Sequence, residues 1–217
     1  MTTYVLVHGA WHGGWCWKKT APLLRAAGAD VFAPTLTGMG ERAHLNNQLN
    51  PSNITLDVHI QDIVQMMSYE GLQDVVLVGH AYAGMVITGV AEVCPERISH
   101  MVYVNGVIPS DGESMVDQLI PVRGPEFTGW IQDLIDNGDG FLPPPASAEE
   151  IERRWGISDP IDVAWTLANV CPQPATAMAS PVHMGNPEAA KIPKNFVGGG
   201  ESGFDSVAER ARQAGWG

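Results

Sequence analysis

The chain has 217 residues, which is enough to bury one sizeable core, and its composition is ordinary for a soluble globular protein. Its net charge of −12, without a basic cluster, argues against nucleic acid and membrane surfaces as partners. No apolar run has the length of a membrane span, and no basic flank marks a signal peptide. Three widely spaced cysteines, Cys16, Cys94 and Cys171, contain no C-x-x-C pair, so we expect reduced thiols in a cytoplasmic protein.

Short apolar runs alternate with helical patterns along the first half of the chain. Strands are predicted at 4–8, 30–33, 75–78 and 100–104, and helices at 17–27, from Thr55 onward, and at 82–92. The helix after Thr55 has apolar residues at i, i+3, i+4 and i+7, namely Ile60, Ile63, Val64 and Met67. This alternation predicts a mostly parallel α/β sheet with helices on both faces and a pocket beyond the carboxyl ends of its strands.

The strand rhythm stops between Pro109 and Lys191. Helical patterns there cover 114–120, 126–137, 149–155 and 160–170, and a strand returns at 194–197 before a last helix near 204–214. We therefore expect a core made of residues 1–108 and 192–217, with residues 109–191 inserted as a helical cap. Five aromatic residues of this segment could line a substrate cavity or form the cap's own core: Phe127, Trp130, Phe141, Trp155 and Trp165.

The sequence Gly79-His80-Ala81-Tyr82-Ala83-Gly84 joins the third predicted strand to a helix. A strand, a sharp turn flanked by small residues and a helix form the frame of a nucleophile elbow, G-x-S-x-G or a close variant. The position of the nucleophile is occupied by Ala81. The frame is present, but the reacting atom is not.

A second motif, His8-Gly9-Ala10-Trp11, follows the first strand. Its backbone N–H groups, together with that of Tyr82, could form an oxyanion hole. Read as a phosphate cradle, the loop lacks the Walker lysine and the G-x-G-x-x-G spacing, and His8 and His12 lack a third ligand for zinc. We expect no metal, nucleotide or flavin, and we expect His12 and His80 to hydrogen-bond in the pocket wall.

Three segments, 5–17, 34–42 and 78–85, resemble the α/β-hydrolase superfamily, in particular the small esterases grouped with plant methylesterases and hydroxynitrile lyases. The resemblance implies the α/β-hydrolase fold and a small, largely neutral ester as substrate, with an amide or carbamate as alternatives. It places the nucleophile at Ala81, the oxyanion donors at Ala10 and Tyr82, and the acid at Glu201, with Asp205 as the alternative. Glu201 could equally be a solvated loop carboxylate. The implied pocket contains Gly9, Trp11, His12, His80 and Asn105.

The same resemblance places the triad histidine after a further strand, whereas the last histidine of these 217 residues is His183. Three hypotheses follow: an esterase inactivated by a laboratory Ser→Ala substitution at Ala81, a natural pseudo-hydrolase that binds a ligand without turnover, and a hydroxynitrile-type lyase. Without a further strand, residues 194–197 would form an open apolar edge. A C-terminal segment or a second copy of the chain, as in a homodimer, would cover it.

Overall fold

Five parallel strands form the central sheet of the computed structural model, which describes residues 1–198 and 205–216 (only the backbone at 205 and 206). The strands are β1 (Thr3–Val7), β2 (Asp30–Phe32), β3 (Val75–His80), β4 (Ile98–Val104) and β7 (Lys194–Val197). Their order is β2-β1-β3-β4-β7. Val7 lies opposite Gly79, and His80 lies opposite Val104. The register therefore brings the loops after β1, β3 and β4 to one edge, as predicted for a parallel sheet.

Helices cover both faces of this sheet, which confirms the predicted α/β architecture. The helices next to the core strands are α1 (Ala21–Ala26), α2 (Leu56–Tyr69), α3 (Ala83–Val93) and α10 (Asp205–Gln213). Alternate residues of β1 belong to different buried clusters: Leu6 packs with Ala21 of α1, whereas Val5 and Val7 belong to the cluster that contains α2 and α3. This division follows from the two-residue period of a strand.

Helix α2 begins where its sequence predicts. The Thr55 hydroxyl accepts a hydrogen bond from the amide of Val58 at 3.4 Å, which satisfies one of the amides that a helix start leaves unpaired. Ile60, Ile63 and Met67 are buried on the inner face as predicted, and Val64 packs half-buried beside them. The apolar period is local, so it sets the buried face of this helix by itself.

The segment between β4 and β7 is not purely helical, which corrects the prediction. Its helices are α4 (Met115–Arg123), α5 (Glu126–Asp136), α6 (Ala148–Trp155), α7 (Pro160–Asn169), α8 (Ala175–Ala179) and α9 (Pro187–Lys191). Between them β5 (Phe141–Leu142) pairs antiparallel with β6 (Gln173–Pro174). Two-residue strands are too short to produce an alternating pattern, so sequence reasoning missed them.

One further prediction is wrong in detail. The helix predicted at 17–27 is a 3₁₀ turn (Gly14–Lys18) followed by α1, because Pro22 lacks the N–H that a continuous helix would need and occupies the first turn of α1 instead. Two more 3₁₀ turns, Gly40–Asn47 and Pro51–Asn53, precede α2. A fourth 3₁₀ turn, Pro95–Arg97, precedes β4.

In the described part of the chain, β7 is the outermost strand on its side of the sheet, and its Val197 is 53% exposed. All three cysteines are free thiols. None of the helices in residues 1–198 and 205–216 has the length and apolar character needed to cross a membrane.

Candidate active site

The turn after β3 has the backbone geometry of a strained elbow. Ala81 has a φ of 49°, a left-handed conformation that L-residues other than Asn, Asp and Gly seldom adopt. Backbone hydrogen bonds hold the turn: the Ala81 amide donates to the carbonyl of Val104 at 3.2 Å, and the Ala81 carbonyl accepts from Gly84 and Val107 at 3.0 and 3.1 Å. Ala81 is partly exposed, whereas Tyr82 after it is buried. Position 81 is thus more accessible than the residue that follows it.

The small residues around this turn are required by close backbone approaches. A Cβ on Gly79 would lie 2.8 Å from the carbonyl oxygen of Ala83, and one on Gly84 would lie 2.0 Å from that of Val107. Real Cβ atoms do not approach an oxygen this closely. Strand β3, helix α3 and the segment after β4 therefore meet at a point where side chains do not fit, as the elbow frame predicts.

The loop after β1 lies directly against the elbow. A Cβ on Gly9 would be 3.1 Å from the Cβ of Ala81 and 2.9 Å from Nδ1 of His80. The amides of Ala10 and Tyr82 find no hydrogen-bond acceptor in the described part of the chain. The Tyr82 amide has no acceptor within the helix because Tyr82 precedes the first turn of α3. These two amides remain the candidate oxyanion donors, since neither has an acceptor among the described residues.

His8 has a structural role in this loop. Its Nδ1 donates to the carbonyl of Gly9 at 2.9 Å, and its Nε2 accepts from the amide of Leu36 at 3.1 Å. Both ring nitrogens are therefore occupied, and complete burial lowers the pKa of His8 to about 3. The ring joins the loop after β1 to the loop after β2, and it is not available as a base.

This burial predicts acid sensitivity. The folded pKa of His8 lies below its ordinary value of 6.5, so the unfolded chain takes up a proton first as the pH falls. Each pH unit between 6.5 and about 3 then lowers the free energy of unfolding by about 1.4 kcal/mol for this residue. We expect urea denaturation at pH 7 and pH 5 to show the loss. The amide of His8→Gln keeps a donor and an acceptor but does not titrate. This substitution should therefore remove the contribution of His8 from the difference in the free energy of unfolding between pH 7 and pH 5. Equal stability at both pH values would contradict the prediction.

His12 and His80 form a neutral part of the wall near the elbow. Nδ1 of His12 donates to the carbonyl of Ala10 at 2.6 Å, and the ring stacks on Trp15 with centroids 5.2 Å apart. The rings of His12 and His80 are 6.1 Å apart. Burial lowers the pKa of both residues, that of His80 to about 4. Neither ring is charged near neutral pH, so this wall is polar but uncharged.

Two of the five aromatic residues named in the insertion meet the loop after β1. The ring of Trp155 lies 4.8 Å from His12 and 6.3 Å from Trp11, and Trp165 lies 5.0 Å from Trp15. We call Trp11, His12, Trp15, Trp155 and Trp165 the Trp/His cluster. The other three aromatic residues make no ring contact with it: Phe127 and Trp130 pack on each other, Trp130 is 44% exposed, and Phe141 lies in β5.

The insertion also makes hydrogen bonds to the loop after β1. The Trp11 amide donates to Oε1 of Gln173 at 3.4 Å, and the Trp11 carbonyl accepts from the amide of Cys171 at 3.0 Å. Trp11 has a φ of 63°. Gln173 is fully buried, and sequence reasoning missed both it and Cys171 because their partner is about 160 residues away.

Several buried donors around the Trp/His cluster have no acceptor. They are the indole N–H groups of Trp11, Trp15 and Trp17 and the Nε–H of Arg154, none of which finds an acceptor among the described protein atoms. The Arg154 guanidinium lies 6.0 Å from the Trp11 ring, and its Nη2 donates to Glu150 at 3.3 Å. Buried donors are normally paired, so this excess of donors favours a bound group rich in acceptors.

The side chain of Tyr82 points away from the exposed side of the elbow. Its hydroxyl lies 2.9 Å from Nδ1 of His59, a fully buried residue of α2. Sequence reasoning missed His59. The only signal was a polar residue directly before Ile60, beside the apolar stripe of α2.

The structure describes little of the two candidate acids, Glu201 and Asp205. Glu201 falls outside the described residues, and Asp205 is described only by its backbone at the start of α10. Asn105 has a φ of 40°, and its amide donates to the carbonyl of Val197 at 2.8 Å, which ties the end of β4 to the end of β7. The assignment of the triad acid to Glu201 stays a prediction.

His183 does not contribute to the elbow. Its side chain is 82% exposed and lies 3.9 Å from Asp111. The amide of Gly185, two residues later, donates to Glu92 in the last turn of α3, whereas the elbow lies before the first turn. Among the described residues, no group of three or more His, Cys, Asp or Glu side chains is arranged to hold a metal ion.

Comparison with known proteins agrees with this geometry. The model of the alpha/beta hydrolase family matches residues 4–214. The carbendazim hydrolyzing esterase of Nocardioides sp. is 42% identical over 164 residues, and the match covers 71% of this chain and 66% of that protein. Methylesterase 18 of Arabidopsis thaliana is 30% identical over 228 aligned positions, which cover 98% of this chain and 84% of that protein.

A solved structure supports the fold. An extracellular alpha/beta-hydrolase from a Paenibacillus species superimposes with a TM-score of 0.79 over 97% of this chain and 86% of its own, at 23% identity. The methylesterase MES16 of Arabidopsis gives a TM-score of 0.66 at 25% identity, over 90% of this chain and 77% of its own. The chain belongs to the alpha/beta hydrolase family, in the branch that contains the plant methylesterases.

Proposed function

We propose that this chain forms the substrate-binding and oxyanion part of an ester hydrolase, and that it binds its substrate without turning it over because Ala81 stands at the nucleophile position. The observation that carries the proposal is the left-handed turn at Ala81 with Gly9 packed against it. Esterase names among the relatives support the reaction class. Residues 109–191 would act as the cap over this site, since Trp155 and Trp165 reach the loop after β1 from that segment.

The chemistry of the site follows from acyl transfer. A serine hydroxyl at position 81 would attack the ester carbonyl, a histidine would take its proton, and the amides of Ala10 and Tyr82 would stabilise the oxyanion. The methyl group of Ala81 cannot attack. An oxyanion hole and binding alone leave roughly 10³–10⁴-fold catalysis over water, so we expect the substrate to bind and to be turned over at most at that residual rate.

We further propose that the substrate is planar and aromatic and carries hydrogen-bond acceptors. The Trp/His cluster offers flat apolar faces, and the indole N–H groups of Trp11, Trp15 and Trp17 find no acceptor within residues 1–198 and 205–216. The relative from Nocardioides is named for carbendazim, a methyl carbamate on a benzimidazole ring. Such a molecule combines a scissile carbonyl with an aromatic plane and ring acceptors, so carbendazim is the first ligand to test.

A natural ligand-binding protein without catalysis is the second candidate function. It is favoured by Ala81, whose methyl group cannot attack a carbonyl. This candidate shares the pocket and differs only in whether a serine at position 81 restores hydrolysis.

Titration with carbendazim tests the binding proposal. Five of the seven tryptophans lie in or beside the Trp/His cluster, so binding should give a saturable change in tryptophan fluorescence. Trp155→Ala should weaken the affinity about tenfold or more, because it removes the ring that spans His12 and Trp11. Trp130→Ala is the matched control, since that ring packs on Phe127 and should leave the affinity unchanged.

Mass spectrometry should recover carbendazim intact after incubation with the protein. A titration without saturation, or equal losses in Trp155→Ala and Trp130→Ala, would contradict the proposal.

A further inference from the structure

His59 is the one fully buried imidazole that contacts neither the Trp/His cluster nor the loop after β1. It lies on α2, whose other buried positions are apolar, and it is 0% exposed. Burying a polar ring is unfavourable unless its nitrogens are hydrogen-bonded. Both are: Nε2 lies 3.0 Å from the carbonyl oxygen of Thr37, and Nδ1 lies 2.9 Å from the Tyr82 hydroxyl. A specific polar contact therefore replaces apolar packing at this position.

The partners of His59 determine the direction of each hydrogen bond. The Thr37 carbonyl can only accept, so Nε2 carries the hydrogen. Burial lowers the pKa of His59, so the ring is neutral and Nδ1 accepts from the Tyr82 hydroxyl. The same hydroxyl lies 3.4 Å from the carbonyl of Ala177 in α8, a longer contact. Tyr82 is thus anchored by its hydroxyl to α2, at the edge of the insertion.

The far side of His59 is anchored as well. Thr37 donates from its amide and its hydroxyl to the carboxylate of Asp62, at 2.6 and 2.8 Å. Arg42 donates to Asp62 at 3.2 Å and to the Thr37 hydroxyl at 2.7 Å. Because Asp62 lies on α2 three residues after His59, α2 is hydrogen-bonded to the loop after β2 at two points. The hydrogen-bond network from Arg42 to Tyr82 is therefore held at both ends.

The role of the hydrogen-bond network from Arg42 to Tyr82 follows from the position of Tyr82. Tyr82 follows the strained residue Ala81, and its amide, which has no acceptor in the part of the chain that the structure describes, is one of the two candidate oxyanion donors. A strained turn keeps its conformation only when its surroundings hold it, and the buried side chain of Tyr82 is the anchor next to the strain. We propose that His59 is a positioning residue of the oxyanion hole, which fixes the direction of the Tyr82 N–H through the Tyr82 hydroxyl.

This inference rests on the proposed function, and a pair of small probes tests the two separately. Phenylacetate carries a carboxylate that can accept from an oxyanion hole, whereas 2-phenylethanol has the same ring without the anion. The unaltered protein should bind phenylacetate more tightly, with a shift of the backbone amide resonance of Tyr82 in a ¹H–¹⁵N spectrum. Tyr82→Phe should reduce the preference for phenylacetate about tenfold, because a ring without the hydroxyl no longer holds the turn.

Tyr103→Phe is the matched control. Tyr103 is also 1% exposed, and its hydroxyl also has one close side-chain partner, Thr88 at 2.9 Å. Both substitutions should lower the urea midpoint by similar amounts, but only Tyr82→Phe should change the preference between the probes. His59→Gln keeps a donor and an acceptor and should retain more of the preference than His59→Leu, which keeps neither.

The outcomes separate the two proposals. If the unaltered protein does not distinguish phenylacetate from 2-phenylethanol, there is no oxyanion hole to position and both proposals are wrong. If it does and Tyr82→Phe keeps the full preference, or Tyr103→Phe loses as much, only the role of His59 is wrong. Should His59→Leu fail to fold, the comparison of Tyr82→Phe with Tyr103→Phe decides the matter alone.

Discussion

Replacing Ala81 by serine, in protein expressed from the complete reading frame of the gene, is expected to raise kcat for 4-nitrophenyl acetate about 10⁶-fold. The elbow already holds position 81 in the left-handed conformation, and the amides of Ala10 and Tyr82 face no acceptor in the described chain. Ala81→Ser therefore adds a nucleophile to a turn that needs no rebuilding, and the full gain also requires a histidine that takes its proton. Release of 4-nitrophenolate, compared with the unaltered protein, measures the gain.

The control places Gly9→Val in the same Ala81→Ser protein. A Cβ on Gly9 would already lie 3.1 Å from the Cβ of residue 81, so a valine should fill the space of the oxyanion and abolish the gain. If Ala81→Ser binds carbendazim yet hydrolyses no faster than the unaltered protein, the natural ligand-binding protein is the correct alternative. An alanine codon at position 81 in the source gene would likewise exclude a laboratory substitution.

The largest loss of stability is expected from Gly84→Ala. The added methyl group would lie 2.0 Å from the carbonyl oxygen of Val107 and 2.9 Å from its amide nitrogen. Both are backbone atoms, so relief requires α3 to separate from the segment after β4. We expect the free energy of unfolding to fall by about 3 kcal/mol, with a matching drop in the urea midpoint and loss of carbendazim binding.

Gly129→Ala is the matched control for this substitution. Gly129 lies inside α5, and a Cβ there would meet nothing within 4 Å. Alanine should stabilise the helix by about 0.5–1 kcal/mol, because glycine loses more backbone entropy on folding. An unchanged urea midpoint for Gly84→Ala would mean that the elbow is more plastic than its close contacts indicate.

At the elbow, local sequence patterns and the structure agree. The small residues at 79, 83 and 84 and the apolar run before them predict a strand, a tight turn and a helix, and these are local patterns that need no knowledge of the rest of the chain. The same holds for the Thr55 cap and for β7, whose predicted bounds match the structure. By contrast, the helix predicted at 17–27 is wrong, because its apolar period continues across Pro22 whereas the proline interrupts the helix.

The sequence by itself determined the parallel sheet, the strand, turn and helix around Ala81 and the family, because each depends on residues close together in the chain. Tertiary structure alone decided that His59 anchors Tyr82, that Trp155 meets His12, and that the insertion contains the β5–β6 pair. These contacts join residues from 23 to more than 140 positions apart. Helical and strand periods report only which face of an element is buried, whereas the partner on that face depends on how all the elements pack together.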